Sequence, residues 1–236
     1  LQRDLRRRTA LQPEPLVAIR SLSKRRAYPT HQRVQTRRLG RALHHLLEVV
    51  HGGARLEGPS GLVLEPEIGP STISVLVRNG VEVIVPRGQS CCGALHWHSG
   101  DGDSARDFAR RNLGVFCEDY DAVISNAAGC GSCLQEYPLI LKGTKEEAMS
   151  QRFSDRVCDL SSYLHHLGFV APPAVQKPLR IVYQDACHLR HAQGVYEAPR
   201  RILRSIQGVE LIEIEDSDIC CGSAGIYNIE QPEIAD

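Results

Sequence analysis

Apolar and polar positions follow one another along this chain in two distinct rhythms. VEVIVP (81–86), DAVISN (121–126), RIVYQD (180–185) and VELIEI (209–214) are short runs rich in β-branched residues, bounded by Gly, Pro, Asn or Asp, and each predicts a strand. Between them the period lengthens to that of helices. Ser71 to Arg78 reads as a helix stopped by Gly80. Ser104 to Tyr120 reads as a second, with Phe108, Leu113 and Phe116 among its apolar positions. Leu134 to Leu141 begins another, interrupted at Pro138, and Arg156 to Leu167 and Ala198 to Ile206 carry two more. APPAVQKP (171–178) is a proline-rich linker. Strands alternating with helices predict an α/β fold with largely parallel sheets.

The pattern also occurs twice. GPSTISVLVRNGVEVIVPRGQSCCGAL (69–95) and EAPRRILRSIQGVELIEIEDSDICCGSAG (197–225) each run helix, glycine, Val-Glu-hydrophobic strand, polar loop, Cys-Cys-Gly. The spacing from Gly80 to Cys91 differs by one residue from that between Gly208 and Cys220. Two copies of one Rossmann-like α/β unit are expected, over 59–170 and 178–236. Both are expected to be incomplete. With Gly208 laid on Gly80, Pro59 falls where Cys187 stands, so the first copy lacks its opening strand and first cysteine. The second has 15 residues after Cys221, too few to reach a counterpart of GCGSC (129–133).

Composition narrows the class. With 42% hydrophobic and 24% charged residues, the chain is neither globally disordered nor collagen-like. No run of about 18 apolar residues occurs, so no transmembrane helix is expected. The formal net charge of zero hides a split: residues 1–58 carry 13 Lys or Arg against 4 Asp or Glu. That segment reads as a basic tail or targeting peptide, as an anionic-surface contact, or as a poorly ordered leader. Its one amphipathic stretch is Leu39 to Val50, and low order is the expectation for 1–58. Aromatics are almost absent from it, which argues against nucleic acid.

All nine cysteines lie at or beyond residue 91: Cys91, Cys92, Cys117, Cys130, Cys133, Cys158, Cys187, Cys220 and Cys221. An odd count, two adjacent pairs that geometry keeps from bonding each other, and no secretory signal favour a reduced, intracellular protein. Thiol chemistry or metal binding becomes the leading question. Cys91 and Cys92, Cys130 and Cys133, Cys187, and Cys220 and Cys221 each follow a predicted strand. Carboxyl ends of parallel strands share one sheet edge, where open α/β folds place ligands. Thiolates there suit zinc, copper(I) or iron–sulfur clusters. Gly93, Gly129, Gly131 and Gly222 would let the backbone approach a bulky group. Taken alone, Cys130–Cys133 could be a redox pair, a zinc half-site or neither. Cys117 and Cys158 fall in predicted helices and read as buried small hydrophobes. Of His96, His98, His188 and His191, only His188, beside Cys187, is expected to hydrogen-bond a cluster sulfur. Asp101 and Asp185 read as turn or cap residues and Trp97 as packing. No Walker loop, GxGxxG after a strand, GxSxG or HExxH occurs, so no catalytic residue and no FAD or NAD site is expected on this chain.

CCGALHWHSGD (91–101), SNAAGCGSCLQEYPLIL (125–141), DACHLRHAQGVYEAPRRIL (185–203) and CCGSAGIYNIEQPEIA (220–235) resemble the cysteine-rich CCG domains of glycolate oxidase iron–sulfur subunits. Those subunits are related to lactate-utilisation iron–sulfur proteins and to the cysteine-rich subunit of heterodisulfide reductase. The resemblance covers about 69–236. It implies that Cys91, Cys92 and Cys130, with Cys133, match one ligand set, and that Cys187, Cys220 and Cys221 match a second. It implies a [4Fe–4S] cluster. The implied role is a cytoplasmic subunit, at most peripheral at the inner face of the plasma membrane. It would take electrons from a flavin-containing partner that oxidises glycolate and pass them towards quinone. The family's ferredoxin-like part, with two CxxCxxCxxxCP runs, does not occur in this sequence, which therefore reads as a fragment. A thiol–disulfide reductase subunit and a zinc-stabilised interaction module are the alternatives.

Overall fold

The computed structural model describes residues 16–20, 67–117, 120–219 and 231–235. Its first strand, β1 (Val17–Arg20), lies inside the segment expected to be irregular. β1 stands between β2 (Glu82–Ile84) and β3 (Ala122–Ser125), antiparallel to both, and β4 (Val157–Asp159) adds parallel to β3. A separate parallel pair joins β5 (Leu179–Val182) to β6 (Val209–Ile212). In the second repeat β5 is the neighbour of β6. In the first, β1 takes the corresponding place beside β2, with reversed direction. VAIR qualifies because it opens with three apolar residues, of which Val17 and Ile19 are β-branched, in an otherwise basic stretch.

Side-chain alternation divides the four-stranded sheet between two cores. Leu16, Ala18 and Val123 face one; Val17, Ala122 and Ile124 face the other. The first core is covered by α2 (Ala94–His98), α3 (Gly102–Val115), α4 (Ala128–Gln135), α5 (Tyr137–Ile140) and α6 (Glu147–Ser154). The second is covered by α1 (Ile68–Arg78) and α7 (Leu160–Leu167) through Leu76, Val77 and Leu164. Burying Leu76 or Leu113 completely contributes about 2–3 kcal/mol each. A short π-helix (His188–Ala192), α8 (Glu197–Arg204) and α9 (Pro232–Ala235) complete the described elements. α8 packs on α7, and the π-helix packs on α4, which joins the repeats.

Several element boundaries depart from expectation. Asp101 accepts from the Ser104 amide and starts α3, which ends at Val115 rather than Tyr120. Cys117 therefore follows the helix and is exposed, not buried. The segment expected to be one helix from Arg156 opens with β4 instead. Asp159 then caps α7 by accepting from the Ser161 and Ser162 amides, and Cys158 sits half-buried in the strand. Helix α4 begins at Ala128, so Cys130 and Cys133 are helical, not in a loop; Pro138 falls in the first turn of α5, where its missing N–H costs nothing. Leu39–Val50, Pro59, Cys220, Cys221 and Gly222 lie outside the described residues. No helix among the described residues is long and apolar enough to cross a membrane.

Candidate functional site

The chain leaves β2 and turns through Gln89, Ser90 and Cys91 before entering α2. Asn112, fully buried on α3, holds that turn. Its Oδ1 accepts from the Ser90 amide at 2.9 Å, and its Nδ2 donates to the Cys91 carbonyl at 3.0 Å and to the Tyr137 hydroxyl at 2.9 Å. Tyr137 in turn donates to the Cys92 carbonyl at 3.1 Å. Gly93 closes the turn with φ +87°, and a Cβ there would come within 3.3 Å of the Ala105 backbone. The left-handed backbone favours glycine there, and the close approach of α3 adds to that preference.

Cys130 and Cys133 stand three residues apart near the start of α4, a spacing that puts both thiols on one helix face. The Cys133 thiol donates to the Cys92 carbonyl at 3.3 Å, and the Gly93 amide donates to Cys91 Sγ at 3.4 Å. Hydrogen bonds from Cys130, Cys133 and Cys91 hold the Cys92 thiol well below its ordinary range, against the opposing effect of burial. Cys91 and Cys133 move the other way, first because of their hydrogen bonding with the Cys92 sulfur and then because each is buried.

Four gathered sulfurs, none in a disulfide, are a donor set suited to iron–sulfur or zinc chemistry. Among the described residues no three His, Cys, Asp or Glu side chains are grouped so as to hold a metal ion as they stand. The fit rests on donor chemistry, four thiols in one core cluster.

In the second repeat Cys187 is half-buried and begins the π-helix. A buried ion-pair network fixes the strand end before it. Asp185 accepts from both Arg200 terminal nitrogens at 2.7 and 2.9 Å, from Arg190 at 2.7 Å and from the Ser217 hydroxyl at 3.2 Å. Arg200 also donates to Glu213 at 3.0 Å and lies over the Tyr183 ring. Residues 217–219, just before Cys220, are tied to this segment. The Asp185 amide and the Gln184 side chain donate to the Ser217 carbonyl, Gln184 also donates to the Ile219 carbonyl, and His191 Nε2 lies 2.9 Å from the Asp218 carbonyl. Where the repeats meet, the His188 and His98 rings stand 5.8 Å apart, and Gln193 donates to the Ala128 carbonyl at the head of α4.

The sequence matches the model of a cysteine-rich domain family, CCG, over residues 57–135 and 181–236, together more than half of the chain. This chain belongs to that family. Its relatives include a probable glycolate oxidase iron–sulfur subunit of Bacillus subtilis (strain 168), 40% identical over 182 residues, which cover 75% of this chain and 41% of the relative. A fumarate reductase (CoM/CoB) subunit of Methanothermobacter marburgensis is 34% identical over 209 residues, 84% of this chain and 40% of that protein. A lactate utilization protein of Geobacillus kaustophilus (strain HTA426) is 30% identical over 171 residues, 72% of this chain and 71% of that protein. The chain thus spans about two fifths of the length of the first two. No solved structure matches it.

In this cysteine-rich domain the structure brings Cys91, Cys92, Cys130 and Cys133 together and sets the turn after Cys187 against the helix of the last two. Sequence reasoning missed the residues that hold the turns: Asn112, Tyr137, Gln89, Gln193 and Arg200. A charged residue at a buried helical position, Arg200, was the one visible signal. Asp101 is the cap it was expected to be, whereas Asp185 is the centre of an ion-pair network. Trp97 packs against the first core as expected and also donates from its indole N–H to Glu136 at 3.1 Å, tying α2 to the end of α4.

Proposed function

We propose that this cysteine-rich domain is part of an iron–sulfur electron-transfer subunit of a 2-hydroxy-acid oxidase, of the kind that acts on glycolate. It would accept electrons from a flavin-containing partner and pass them towards quinone. The observation that carries the reading is the gathering of the Cys91, Cys130 and Cys133 thiols around Cys92 in one core, from the segments that follow β2 and β3. The names of the relatives supply the reaction class.

The ligands would be Cys91, Cys92, Cys130 and Cys133 from the first repeat and Cys187, Cys220 and Cys221 from the second. A bound [4Fe–4S] group supplies one-electron transfer at a potential set by charge, burial and hydrogen bonds around its sulfurs. The chain's own residues set those conditions. Cys92 and Cys133 are buried, which keeps water from their sulfurs. Asn112 and Tyr137 fix the backbone of Cys91 and Cys92, so their side chains need not be ordered when metal arrives. Thiols outside disulfides suit a reducing compartment.

Replacing Cys91 and Cys92 by serine, and separately Cys130 and Cys133, tests the assignment through iron and acid-labile sulfide per chain after anaerobic purification. Each pair is expected to remove most of the iron. Unchanged iron in both overturns the ligand assignment, and zinc in place of iron overturns the electron-transfer reading.

A further inference from the structure

Gly131, between the two cysteines of α4, is buried. Its missing side chain leaves a notch that is filled from the other repeat. A Cβ built on Gly131 would lie 2.8 Å from Gln193 Nε2, 3.1 Å from its Oε1 and 3.3 Å from its Cδ, so the end of the Gln193 side chain would have to leave its place. Through that notch the Gln193 carboxamide reaches the first turn of α4 and donates to the Ala128 carbonyl at 2.9 Å. Its Oε1 is buried there without a hydrogen-bond partner. The amide is thus held by one hydrogen bond and by shape, the notch supplying the shape.

Gln193 ends the π-helix that starts at Cys187, and its own amide donates to the His188 carbonyl at 3.0 Å. A π-turn is an uncommon distortion that recurs at functional sites, because it displaces the chain by one residue relative to an α-helix. Here the register it sets joins Cys187 at one end to Gln193 at the other, with the five residues His188 to Ala192 between them. Seating Gln193 on α4 therefore fixes where the Cys187 turn lies with respect to Cys130 and Cys133.

We propose that Gln193 and Gly131 form a knob and notch that positions the Cys187 turn of the second repeat against the Cys130–Cys133 helix of the first, making Gln193 a positioning residue for the thiol site. Its importance for the site rests on the reading of these cysteines as cluster ligands. The fit itself is a property of the polypeptide.

The test is a double-variant cycle on the full 236-residue chain, reduced and stripped of metal, reading iodoacetamide labelling of Cys187 by mass spectrometry, with Cys117 as reference. Gly131→Ala is expected to speed labelling of Cys187 about tenfold, as overpacking at a closed contact does, with Cys117 unchanged. Gln193→Ala is expected to speed it as well. Adding Gly131→Ala to Gln193→Ala is expected to bring no further change, since the clash is gone. Equal effects of Gly131→Ala in both backgrounds, no effect in either, or acceleration of Cys117 alongside Cys187 overturn the proposal. If Gly131→Ala does not fold, folding of the double variant supports the notch and its failure to fold overturns it. Iron and sulfide are assayed separately on the unsubstituted chain. Their absence sinks the electron-transfer reading and leaves the labelling result standing, whereas normal iron with no coupling sinks the knob and notch alone.

Discussion

Asn112 and Tyr137 face each other across the first core, the carboxamide donating to the phenol at 2.9 Å, and between them they hold the backbone of both cysteines of the first pair. Neither residue carries a soft donor, yet the geometry of Cys91 and Cys92 depends on them. Asn112→Ala strands the Ser90 amide, the Cys91 carbonyl and one side of the Tyr137 hydroxyl in the interior. A loss of about 2–4 kcal/mol is expected, with about 1–2 kcal/mol for Tyr137→Phe. Urea unfolding measures both. A loss below about 0.5 kcal/mol for Asn112→Ala, the level of an ordinary surface substitution, contradicts the assigned role.

The Asp185–Arg200 pair predicts an acid-labile second repeat. Burial acts to raise the Asp185 pKa, but hydrogen bonds from Arg200 and Arg190 prevail and hold the carboxyl below its usual range. In acid the unfolded chain binds a proton that the folded chain refuses. The stabilisation is therefore complete above the ordinary aspartate pKa and is lost as pH falls through the depressed value. Arg200→Met, which leaves a buried carboxylate short of its main partner, is expected to cost about 3–5 kcal/mol at neutral pH. Asp185→Asn is expected to flatten the acid limb of a stability–pH curve, and an unchanged limb counts against the network.

Cys158 gives the opposite slope. Burial first, then the charge of Asp159, pushes its thiol up to about 12 from 9.0. Between those values the unfolded chain releases a proton that the folded chain keeps. This thiol's contribution to stability is present below pH 9 and falls as pH rises, by up to about 1.4 kcal/mol per unit. Comparing Cys158→Ala with the parent chain across pH 8–11 isolates the effect, and parallel curves contradict it.

Gln89 mimics a strand neighbour at the start of β1: its Oε1 accepts from the Leu16 amide at 2.7 Å and its Nε2 donates to the Leu16 carbonyl at 2.8 Å. Two residues later the chain reaches Cys91. Gln89→Ala is expected to loosen β1, raising amide exchange of Val17 to Arg20 by about tenfold while β3 to β4 exchange stays as it was. Uniform acceleration across the sheet speaks against a local tie.

The alternation of strands and helices was legible because each element has a period of its own, and the Cys-Cys-Gly repeat was legible because it recurs in the same context. β1 was not, since three apolar residues and an arginine in a basic stretch make a weak signal until a gap beside β2 selects them. The helical setting of Cys130 and Cys133 was hidden by Gly129 and Gly131, poor helix formers that are kept here for other reasons. Gly131 was read as room for a bulky group, and the structure fills that room with Gln193. Asn112 and Tyr137 look like ordinary polar and aromatic helix residues, and only the fold reveals what they touch.

The most direct test of the account is the visible and electron paramagnetic resonance spectrum of the anaerobically purified chain, before and after dithionite. The account predicts a brown protein whose broad absorption bleaches on reduction as a paramagnetic signal develops, with both features lost in Cys92→Ser. A colourless protein that binds zinc, or binds no metal, and gives no signal on reduction contradicts it.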